Sequence, residues 1–384
     1  MIGLLLGTAW LCFAVALLVL IRMRLRVLEE LELTNVAQQE IAPRMSVIVP
    51  VRDEQSNIET CLQGLLGQTY PMQTLEIMVV DDHSTDDTAA IVRKFMDTHS
   101  PIRLVEAGPL PEGWKGKSHA CWRGAGQAQG EWLCFMDADV TATPDLLLSA
   151  VRFAEAENLD LLSLFPFQEM LGFWERFIMP IAFLSLLFLM DPNRINDPQA
   201  KDALAIGHFI LVKRAAYDAT GGHQTIRFEM LDDVALARCF KEQGLRIHLG
   251  SGKKLVRTRM YSDLKALWQG LTRGATELAG GVVVTSLSVF SSLLIGWLPV
   301  LLPCWVLQMN MEMNALSSRG VAIGATSLGS LIWFGAHTVM LRAHRIPLRY
   351  LLLLPLSYTA LAVASVESIW RYLTGRRQWK GRMY

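Results

Sequence analysis

Two aspartates placed two residues apart, Asp137 and Asp139, are the strongest candidates for chemistry in this sequence. They follow residues 131–136, a short and mostly apolar run that is typical of a buried strand. Side chains two residues apart in an extended chain point the same way, so both carboxylates can reach one cation. Oxygen ligands of this kind suit Mg²⁺ or Mn²⁺, with a phosphate group completing the coordination shell. A lone pair is also typical of a turn that caps the next helix.

Two more acidic pairs are candidates for contacts with a ligand. Asp81 and Asp82 end an apolar run, where a carboxylate can accept hydrogen bonds from a ribose hydroxyl or a base N–H group. Asp232 and Asp233 begin a helical pattern that ends near residue 243. Each pair also fits turn and helix-capping chemistry, because a helix N-terminus favours negative charge. Three such pairs in one chain favour a ligand site that contains a cation.

Basic residues occur at loop ends and helix starts. Lys115 and Lys117 close residues 109–117, a loop rich in proline and glycine, where they can meet a phosphate group. A merely solvated loop is the alternative. Arg259 and Arg273 precede the last apolar segments. Forked guanidinium groups bind diphosphates, and they fit lipid head groups equally well.

Strands and helices alternate from residue 46 onward. Apolar runs predict strands, and the stretches between them predict helices. The predicted strands are residues 46–50, 75–80, 102–105, 131–136, 159–165 and 205–213, and the predicted helices are residues 54–68, 86–98, 117–129, 144–157 and 230–243. Repeated βα units imply an α/β domain with a mostly parallel sheet and helices on both faces. Ligands bind at the carboxyl ends of such strands, which is where the acidic residues occur.

Charge and cysteine content exclude some classes of protein. The chain of 384 residues has 36 basic and 36 acidic residues, so no global basic field favours nucleic acid. The six cysteines show no CxxC or paired spacing, which argues against a disulfide framework or a zinc site. Hydrophobic residues make up 52% of the chain, and the excess lies at the two ends and in one central stretch.

Several apolar segments are long enough to contact or cross a membrane. Residues 2–21 form an uncharged run followed by three arginines, which predicts a retained anchor with the next domain in the cytosol. Residues 171–190 carry a charged pair and a proline, which favours an apolar helix in the membrane interface. Residues 282–307, 321–341 and 351–370 are three further membrane segments. We therefore expect an integral protein of the cytoplasmic membrane.

The basic residues near the last segments conflict with three full spans. Arginines occur both in the linker 342–349 and in the tail 371–382, and the positive-inside rule cannot be satisfied at both places. Either the rule fails at one of them or one segment is re-entrant. Gly296, Pro299 and Pro303 make the first of these segments the candidate. We expect the tail to be cytosolic.

Together these motifs resemble the membrane-bound glycosyltransferases of family 2, which have the GT-A fold. The resemblance covers residues 46–273 and rests on several motifs in the family's order. They are VIVPVRDE at 47–54, VDDHSTD at 80–86, DAD at 137–139 and LDD at 231–233.

A narrower resemblance concerns the subgroup that glycosylates carotenoids and related isoprenoids, such as chlorobactene-type and hopanoid-associated enzymes. The similar motifs are GWKGK at 113–117, GGH at 221–223 and RMY at 259–261. The Gln-x-x-Arg-Trp signature of processive polysaccharide synthases is absent, which argues against chain polymerisation. The implied donor is a nucleotide sugar such as a UDP-hexose, bound with Mg²⁺ or Mn²⁺. The implied acceptor is a hydroxyl of a membrane-resident carotenoid or related isoprenoid, and the transfer inverts the anomeric carbon.

The resemblance also implies a role for each candidate residue. Asp137 and Asp139 would be the metal ligands. Asp233, with Asp232 beside it, would provide the general base. The implied donor-binding residues are Pro50, Arg52, Glu54, Asp81, Asp82, Lys117, Asp137, Arg259 and Arg273.

The sequence leaves other functions open. A sugar transferase acting on polyprenyl phosphate would need no base, because its nucleophile is already an anion. A non-catalytic membrane binding protein would turn over no sugar nucleotide, and a transporter is disfavoured by the few ionisable residues in the apolar segments. The predicted division is an anchor at 1–22, a GT-A domain at 45–275 that includes the helix at 171–190, membrane segments at 281–371 and a basic tail at 372–384.

Overall fold

The computed structural model describes residues 2–30, 42–99, 101–309, 316–376, 378–379 and 382–383. The chain forms two compact units. The sheet unit comprises Val27–Glu169 and Asp191–Met260, and the helical unit comprises Met1–Arg26, Met170–Met190 and Tyr261–Tyr384. The predicted boundary at residue 275 differs from this division, because the structure groups residues 261–275 with the helical unit.

The order of strands and helices follows the predicted alternation. The strands are β1 (Met45–Val51), β2 (Leu75–Asp81), β3 (Ile102–Glu106), β4 (Trp132–Met136), β5 (Val140–Ala142), β6 (Leu161–Phe165), β7 (Phe167–Gln168), β8 (Phe209–Lys213), β9 (Ile247–Ser251), β10 (Val256–Thr258), β11 (Gln378–Trp379) and β12 (Arg382–Met383). The helices are α1 (Ile2–Glu30), α2 (Ile58–Leu66), α3 (Thr88–Met96), α4 (Gly116–Gln127), α5 (Leu146–Ala156), α6 (Phe173–Leu189), α7 (Pro192–Asn196), α8 (Arg214–Thr220), α9 (Gly222–Thr225), α10 (Asp232–Glu242), α11 (Leu264–Leu278), α12 (Val282–Met309), α13 (Leu316–Ala343) and α14 (Leu354–Thr374).

Seven strands form the main sheet of the sheet unit, in the order β3-β2-β1-β4-β8-β6-β9. Every neighbouring pair is parallel except the two that include β8, which runs antiparallel to β4 and β6. The prediction of a mostly parallel sheet is therefore confirmed, with one reversed strand. Because β8 is reversed, it starts at the edge where its parallel neighbours end. A second, smaller sheet contains β5, β10 and β7.

Helices cover both faces of the main sheet at strand β1. Alternate side chains of a strand point to opposite faces of the sheet. Val47 belongs to a buried core that includes Leu62 of α2 and Leu147 of α5. Ile48 points to the other face, where it lies against Gly124 of α4. The predicted arrangement of helices on both faces is therefore observed.

Two glycines of α4 test this packing. A β-carbon at Gly124 would lie 2.6 Å from Ile48 Cγ2 and 2.9 Å from Val80 Cγ2, so Gly124→Ala forces the helix and the sheet apart. We expect this substitution to lower the free energy of unfolding by about 1–3 kcal/mol. Gly126 has no atom within 4 Å of the corresponding position, so Gly126→Ala should stabilise by up to about 1 kcal/mol through helix propensity. Thermal unfolding in detergent measures both changes. Equal changes in the free energy of unfolding for the two variants would contradict the close packing of Gly124 against Ile48 and Val80.

The loops after β1 and β2 are joined by hydrogen bonds from backbone to side chain. Glu54 N donates to Thr88 Oγ1 at 2.8 Å, and Gln55 N donates to Asp86 Oδ2 at 3.0 Å. These bonds hold the segment after β1 in a turn. The helix predicted from residue 54 therefore begins only at Ile58.

Three helices in the described part of the helical unit are long and apolar enough to cross a membrane, namely Ile2–Arg26, Val282–Gln308 and Leu348–Thr374. The sequence predicts four membrane segments. The remaining one, at 321–341, lies in α13, a helix of 28 residues that is not one of these three. α12 continues through Pro299 and Pro303 as one helix, so it lacks the break that a re-entrant loop requires.

The apolar helix predicted at 171–190 is present as α6 and belongs to the helical unit. In the described residues, it is not one of the three helices that are long and apolar enough to cross a membrane. Phe173 and Trp174 at its start are 50% and 41% exposed. Large apolar side chains at the start of such a helix are consistent with the predicted position in a membrane interface. That position stays a prediction.

Candidate active site

Asp137 and Asp139 lie in the short connection between β4 and β5, at the edge where the parallel strands end. Val140 N donates to the Asp137 carbonyl at 3.3 Å, which closes the turn. Ala138 between them is buried in the core. Asp137 and Asp139 on either side of it are only partly buried.

The reversed strand β8 brings a histidine to this turn. Met136 of β4 pairs with Phe209 of β8, so the antiparallel register places His208 next to Asp137. Asp137 N donates to the His208 carbonyl at 3.4 Å. One ligand atom from each of Asp137, Asp139 and His208 lies within 4.8 Å of the others. The sequence did not predict a metal role for His208. Its position beside Asp137 follows only from the pairing of β4 with β8, two segments far apart in the chain.

The donor atoms of this cluster fit a divalent cation. Asp139 Oδ1 and His208 Nδ1 are buried, and neither has a hydrogen-bond partner among the described residues. Unpartnered buried polar atoms are rare in folded proteins and point to a missing ligand. Burial raises the pKa of the Asp139 carboxyl, a shift that His208 opposes and the charge of Asp137 increases. A cation would relieve the crowding of negative charge, and two carboxylates with an imidazole can coordinate Mg²⁺ or Mn²⁺.

Lys117 approaches the same cluster from the first turn of α4. Its Nζ lies 2.7 Å from Asp137 Oδ1. Burial alone would lower the pKa of Lys117, but the charges of Asp137 and Asp232 outweigh burial and raise it overall. The ammonium group is therefore charged, as a contact with phosphate requires.

Asp233 lies near Lys117, in the first turn of α10. Gly207 N donates to Asp233 Oδ2 at 2.9 Å, and Val234 N donates to Asp233 Oδ1 at 2.8 Å. A β-carbon at Gly207 would lie 3.0 Å from Lys117 Nζ and 3.3 Å from Asp233 Oδ2, so these two groups meet beside the glycine. Burial raises the pKa of Asp233, and the charge of Asp232 raises it further.

Asp232, the other predicted catalytic residue, has a different environment. It is partly buried at the first position of α10. Its carboxylate accepts no hydrogen bond from the residues that the structure describes. Its charge acts on Asp233 and on Lys117. The two neighbouring aspartates therefore differ in contacts, which separates their expected roles.

Of the predicted donor-binding residues at the ends of β1 and β2, Arg52 and Asp82 pair with each other. Arg52 Nη1 donates to the Asp82 carbonyl at 3.0 Å and lies 3.8 Å from Asp82 Oδ2. Asp81 Oδ1 accepts from Ser84 N at 2.9 Å. Glu54 Oε2 accepts from the side chain of Asn57 at 2.8 Å, and its charge acts on Asp139.

Three further predicted residues lie in different places. Pro50 is a partly buried residue near the end of β1. Arg259 is exposed just after β10 in the sheet unit. Arg273 lies on α11, in the helical unit. The structure thus brings Asp137, Asp139, Lys117 and Asp233 together in the sheet unit, whereas it places Arg273 in the other unit.

Two loops that carry site residues contact each other. Lys115 N donates to the Arg227 carbonyl at 3.0 Å. The ring of Phe228 lies on Gly113, whose φ of 80° and lack of a side chain permit this close approach. Phe228 is 59% exposed. The loop that leads to Lys117 and the loop that leads to Asp233 are therefore held together.

A buried histidine near these loops makes stability depend on pH. Burial lowers the pKa of His223 from 6.5 to about 4, and its Nδ1 lies 3.0 Å from the Tyr217 hydroxyl. The unfolded chain binds this proton below pH 6.5, whereas the folded protein does not until about pH 4. The contribution of His223 to stability is therefore full above pH 6.5, and we expect that contribution to fall by up to about 3 kcal/mol between pH 6.5 and 4.

The control for this prediction is His223→Gln, which removes the titrating group. Burial also lowers the pKa of His248 to about 4, so that histidine contributes a slope of the same sign. The variant should lose part of the decrease in melting temperature between pH 6.5 and 4. An unchanged slope in His223→Gln would show that His223 is not the group responsible.

Comparison with known families identifies much of the sheet unit. Residues 46–221 match the family described as Glycosyl transferase family 2. The matched segment includes β1 to β4, the Asp137–Asp139 turn and His208. The family predicted from the sequence motifs is therefore confirmed for residues 46–221.

Curated relatives carry a carotenoid-type activity in their names. The 4,4'-diaponeurosporenoate glycosyltransferases of Staphylococcus aureus strains MRSA252 and USA300 are each 28% identical over 246 residues. This similarity covers 62% of this chain and 62% of the length of those relatives.

One solved structure is similar over nearly the whole chain. It is the mannosyltransferase PcManGT from Pyrobaculum calidifontis in complex with GDP-Man and Mn²⁺, with a TM-score of 0.54 and 19% identity. The alignment covers 97% of this chain and 99% of that one. At this identity the similarity concerns the fold, and it confirms the predicted GT-A fold.

Proposed function

Because this chain contains a glycosyltransferase family 2 domain with the GT-A fold, we propose that it transfers a sugar from a nucleotide sugar to a hydroxyl of a membrane-resident lipid. The observation that carries this proposal is the cluster of Asp137, Asp139 and His208 beside Lys117 and Asp233. The cluster combines a candidate metal site, an ammonium group that can bind phosphate and a carboxylate that can act as a base. Each of these groups can assist transfer from a sugar diphosphate, the cations by stabilising the leaving group and the base by accepting a proton.

The donor diphosphate would bind at the cation site. Asp137, Asp139 and His208 would hold Mg²⁺ or Mn²⁺, which when bound offsets the negative charge of the departing diphosphate. Lys117 would donate from its ammonium group to a phosphate oxygen. Asp81, at the end of β2, would accept a hydrogen bond from the nucleoside.

Asp233 would accept the proton of the acceptor hydroxyl. A raised pKa makes a carboxylate a stronger base, and burial together with Asp232 raises the pKa of Asp233. The two N–H donors, Gly207 N and Val234 N, fix the orientation of the carboxylate. Attack on the anomeric carbon from the face opposite the diphosphate inverts that carbon.

A lipid acceptor is supported by the three helices that are long and apolar enough to cross a membrane. The name of the S. aureus relatives supports a carotenoid or related isoprenoid. Such acceptors partition into the bilayer, so an enzyme of the cytoplasmic membrane with its sheet unit in the cytosol would meet soluble donor and lipid acceptor together.

The proposal is tested with the full-length protein in lipid nanodiscs, a panel of nucleotide sugars and three acceptors. These acceptors are a carotenoid alcohol, a polyprenyl phosphate and a small water-soluble alcohol. We expect a glycosylated carotenoid, detected by mass spectrometry, that requires a divalent cation. Equal rates with the water-soluble alcohol would contradict the lipid acceptor. If polyprenyl phosphate were the only acceptor to give product, the acceptor would be reassigned. If no combination of donor and acceptor gave product, the proposed transfer reaction would be contradicted.

A further inference from the structure

The helical unit contains a cavity of about 680 Å³ between α6, α11 and α14. This volume falls within the range of about 300–1,000 Å³ that is typical of ligand pockets. Most of its wall is apolar or aromatic. The apolar and aromatic lining residues are Trp174, Phe177, Ile178, Leu264, Trp268 and Ala360.

Two cations, Lys265 and Arg371, also line this cavity. Arg371 is bound to Glu367, with its Nη2 2.6 Å from Glu367 Oε1, so that charge is balanced. Lys265 is exposed and has no carboxylate partner among the described residues. The lining therefore carries one unbalanced positive charge next to an apolar wall.

A hydrogen-bonded group holds one side of the cavity in place. Trp268 Nε1 donates to Glu367 Oε2 at 2.6 Å, and Arg371 Nε donates to Glu367 Oε1 at 2.9 Å. The indole of Trp268 and the guanidinium of Arg371 are therefore fixed by the same carboxylate. A cavity whose wall is already ordered loses less entropy when a ligand binds.

The position of these residues on the helices indicates the depth of the cavity in a bilayer. Arg371 lies in the last turn of α14, at the end of the candidate span Leu348–Thr374. Tryptophan side chains such as Trp174 and Trp268 are enriched at the boundary between lipid and water. Basic pockets beside membrane helices at this depth bind acidic lipid head groups.

We propose that this cavity binds one anionic phospholipid, with an acyl chain against the aromatic wall and the phosphate at Lys265 and Arg371. The unbalanced charge of Lys265 selects this occupant. A neutral isoprenoid would leave Lys265 without a partner, and a zwitterionic phospholipid would bring a second cation next to it. None of the lining residues is a proposed donor-binding or base residue, and binding of the lipid does not depend on the proposed reaction.

The test measures quenching of tryptophan fluorescence in the full-length protein by brominated lipids. Vesicles contain phosphatidylcholine with increasing amounts of either brominated phosphatidylglycerol or brominated phosphatidylcholine. The signal of the cavity is the difference between the wild type and Trp174→Phe. We expect brominated phosphatidylglycerol to quench this signal with about fivefold higher apparent affinity, since one basic residue contributes about 1 kcal/mol to such binding.

Matched variants separate the site from general attraction to an acidic surface. Lys265→Glu should abolish the preference for phosphatidylglycerol, and Lys265→Arg should keep it. Arg342→Glu, an exposed cation of the same unit outside the cavity lining, should leave the preference unchanged. Equal quenching by the two lipids in the wild type would overturn the proposal, as would an equal loss in Lys265→Glu and Arg342→Glu.

Discussion

Asp139→Asn should reduce sugar transfer by about 100-fold or more, because removal of a charged group that stabilises a transition state typically has an effect of this size. Asp139 Oδ1 is buried without a hydrogen-bond partner in the described structure, and the amide would put a neutral group there. The variant keeps the shape of the side chain but loses one charge from the cation site. Turnover at saturating donor, and Mn²⁺ binding followed by electron paramagnetic resonance, measure the two consequences.

The control for this substitution is Asp218→Asn, which changes an exposed carboxylate of α8 in the same unit. It should bind Mn²⁺ and turn over like the wild type. Chelation of divalent cations should abolish transfer by the wild type, and added Mg²⁺ or Mn²⁺ should restore it. Mn²⁺ affinity in Asp139→Asn equal to that of the wild type would place the cation elsewhere.

His208→Ala tests the third proposed ligand, which the pairing of β8 with β4 places beside Asp137. Loss of one donor atom should weaken Mn²⁺ binding while leaving Asp137 and Asp139 in place. Because His208 precedes a buried strand, the variant needs a melting curve to show that it is folded. A folded His208→Ala with unchanged Mn²⁺ affinity would reduce the cation site to the two aspartates.

Asp233→Asn should lower turnover by about 100- to 10,000-fold while it leaves donor binding nearly unchanged, as expected for loss of a general base. Asparagine can still accept one of the two hydrogen bonds that Gly207 N and Val234 N donate to this side chain. The fold around Gly207 should therefore persist. Steady-state kinetics with varied donor separate the effect on turnover from the effect on donor KM.

The neighbouring substitution Asp232→Asn is the matched control. Asp232 accepts no hydrogen bond from the described residues, and it acts on Asp233 and Lys117 through its charge. We expect its effect on turnover to be below about tenfold, as for a single charge that does not transfer a proton. If Asp232→Asn were the more damaging change, the base would be Asp232.

The effect of Asp233→Asn should depend on the type of acceptor. An alcohol must lose a proton when it attacks, whereas a carboxylate such as the one in the name of the S. aureus relatives, or a phosphate, is already an anion. Asp233→Asn should therefore impair transfer to an alcohol far more than transfer to an anionic acceptor. Equal losses with both kinds of acceptor would mean that Asp233 acts by position or charge and not as a base.

Much of the sheet unit could be predicted from local sequence. The strands β1, β2 and β4 are short apolar runs, and their predicted ends agree with the structure within one residue. The acidic residues that follow them were predicted to lie at one edge, because parallel strands end together. The pattern of apolar residues along a strand is a local property. The positions of these strands and of the acidic residues after them could therefore be predicted from the sequence alone.

Length and composition were sufficient to predict the long apolar helices of the helical unit, and the number that cross a membrane stays a prediction. In the described residues, three of the four predicted segments form helices that are long and apolar enough to cross a membrane. The fourth, 321–341, lies in α13, which is not one of these three. The start of α2 also differed from the prediction, because side chains of the loop after β2 hold the preceding turn.

The composition of the site depended on the tertiary structure. His208 reaches Asp137 because β8 pairs antiparallel with β4, and Asp233 meets Lys117 because both lie beside Gly207. The amino-acid sequence by itself determined the buried strands and the carboxylates at their ends. Only the folded chain decided which distant residues join those carboxylates, because the direction and register of a strand pair are set by contacts between segments far apart in sequence.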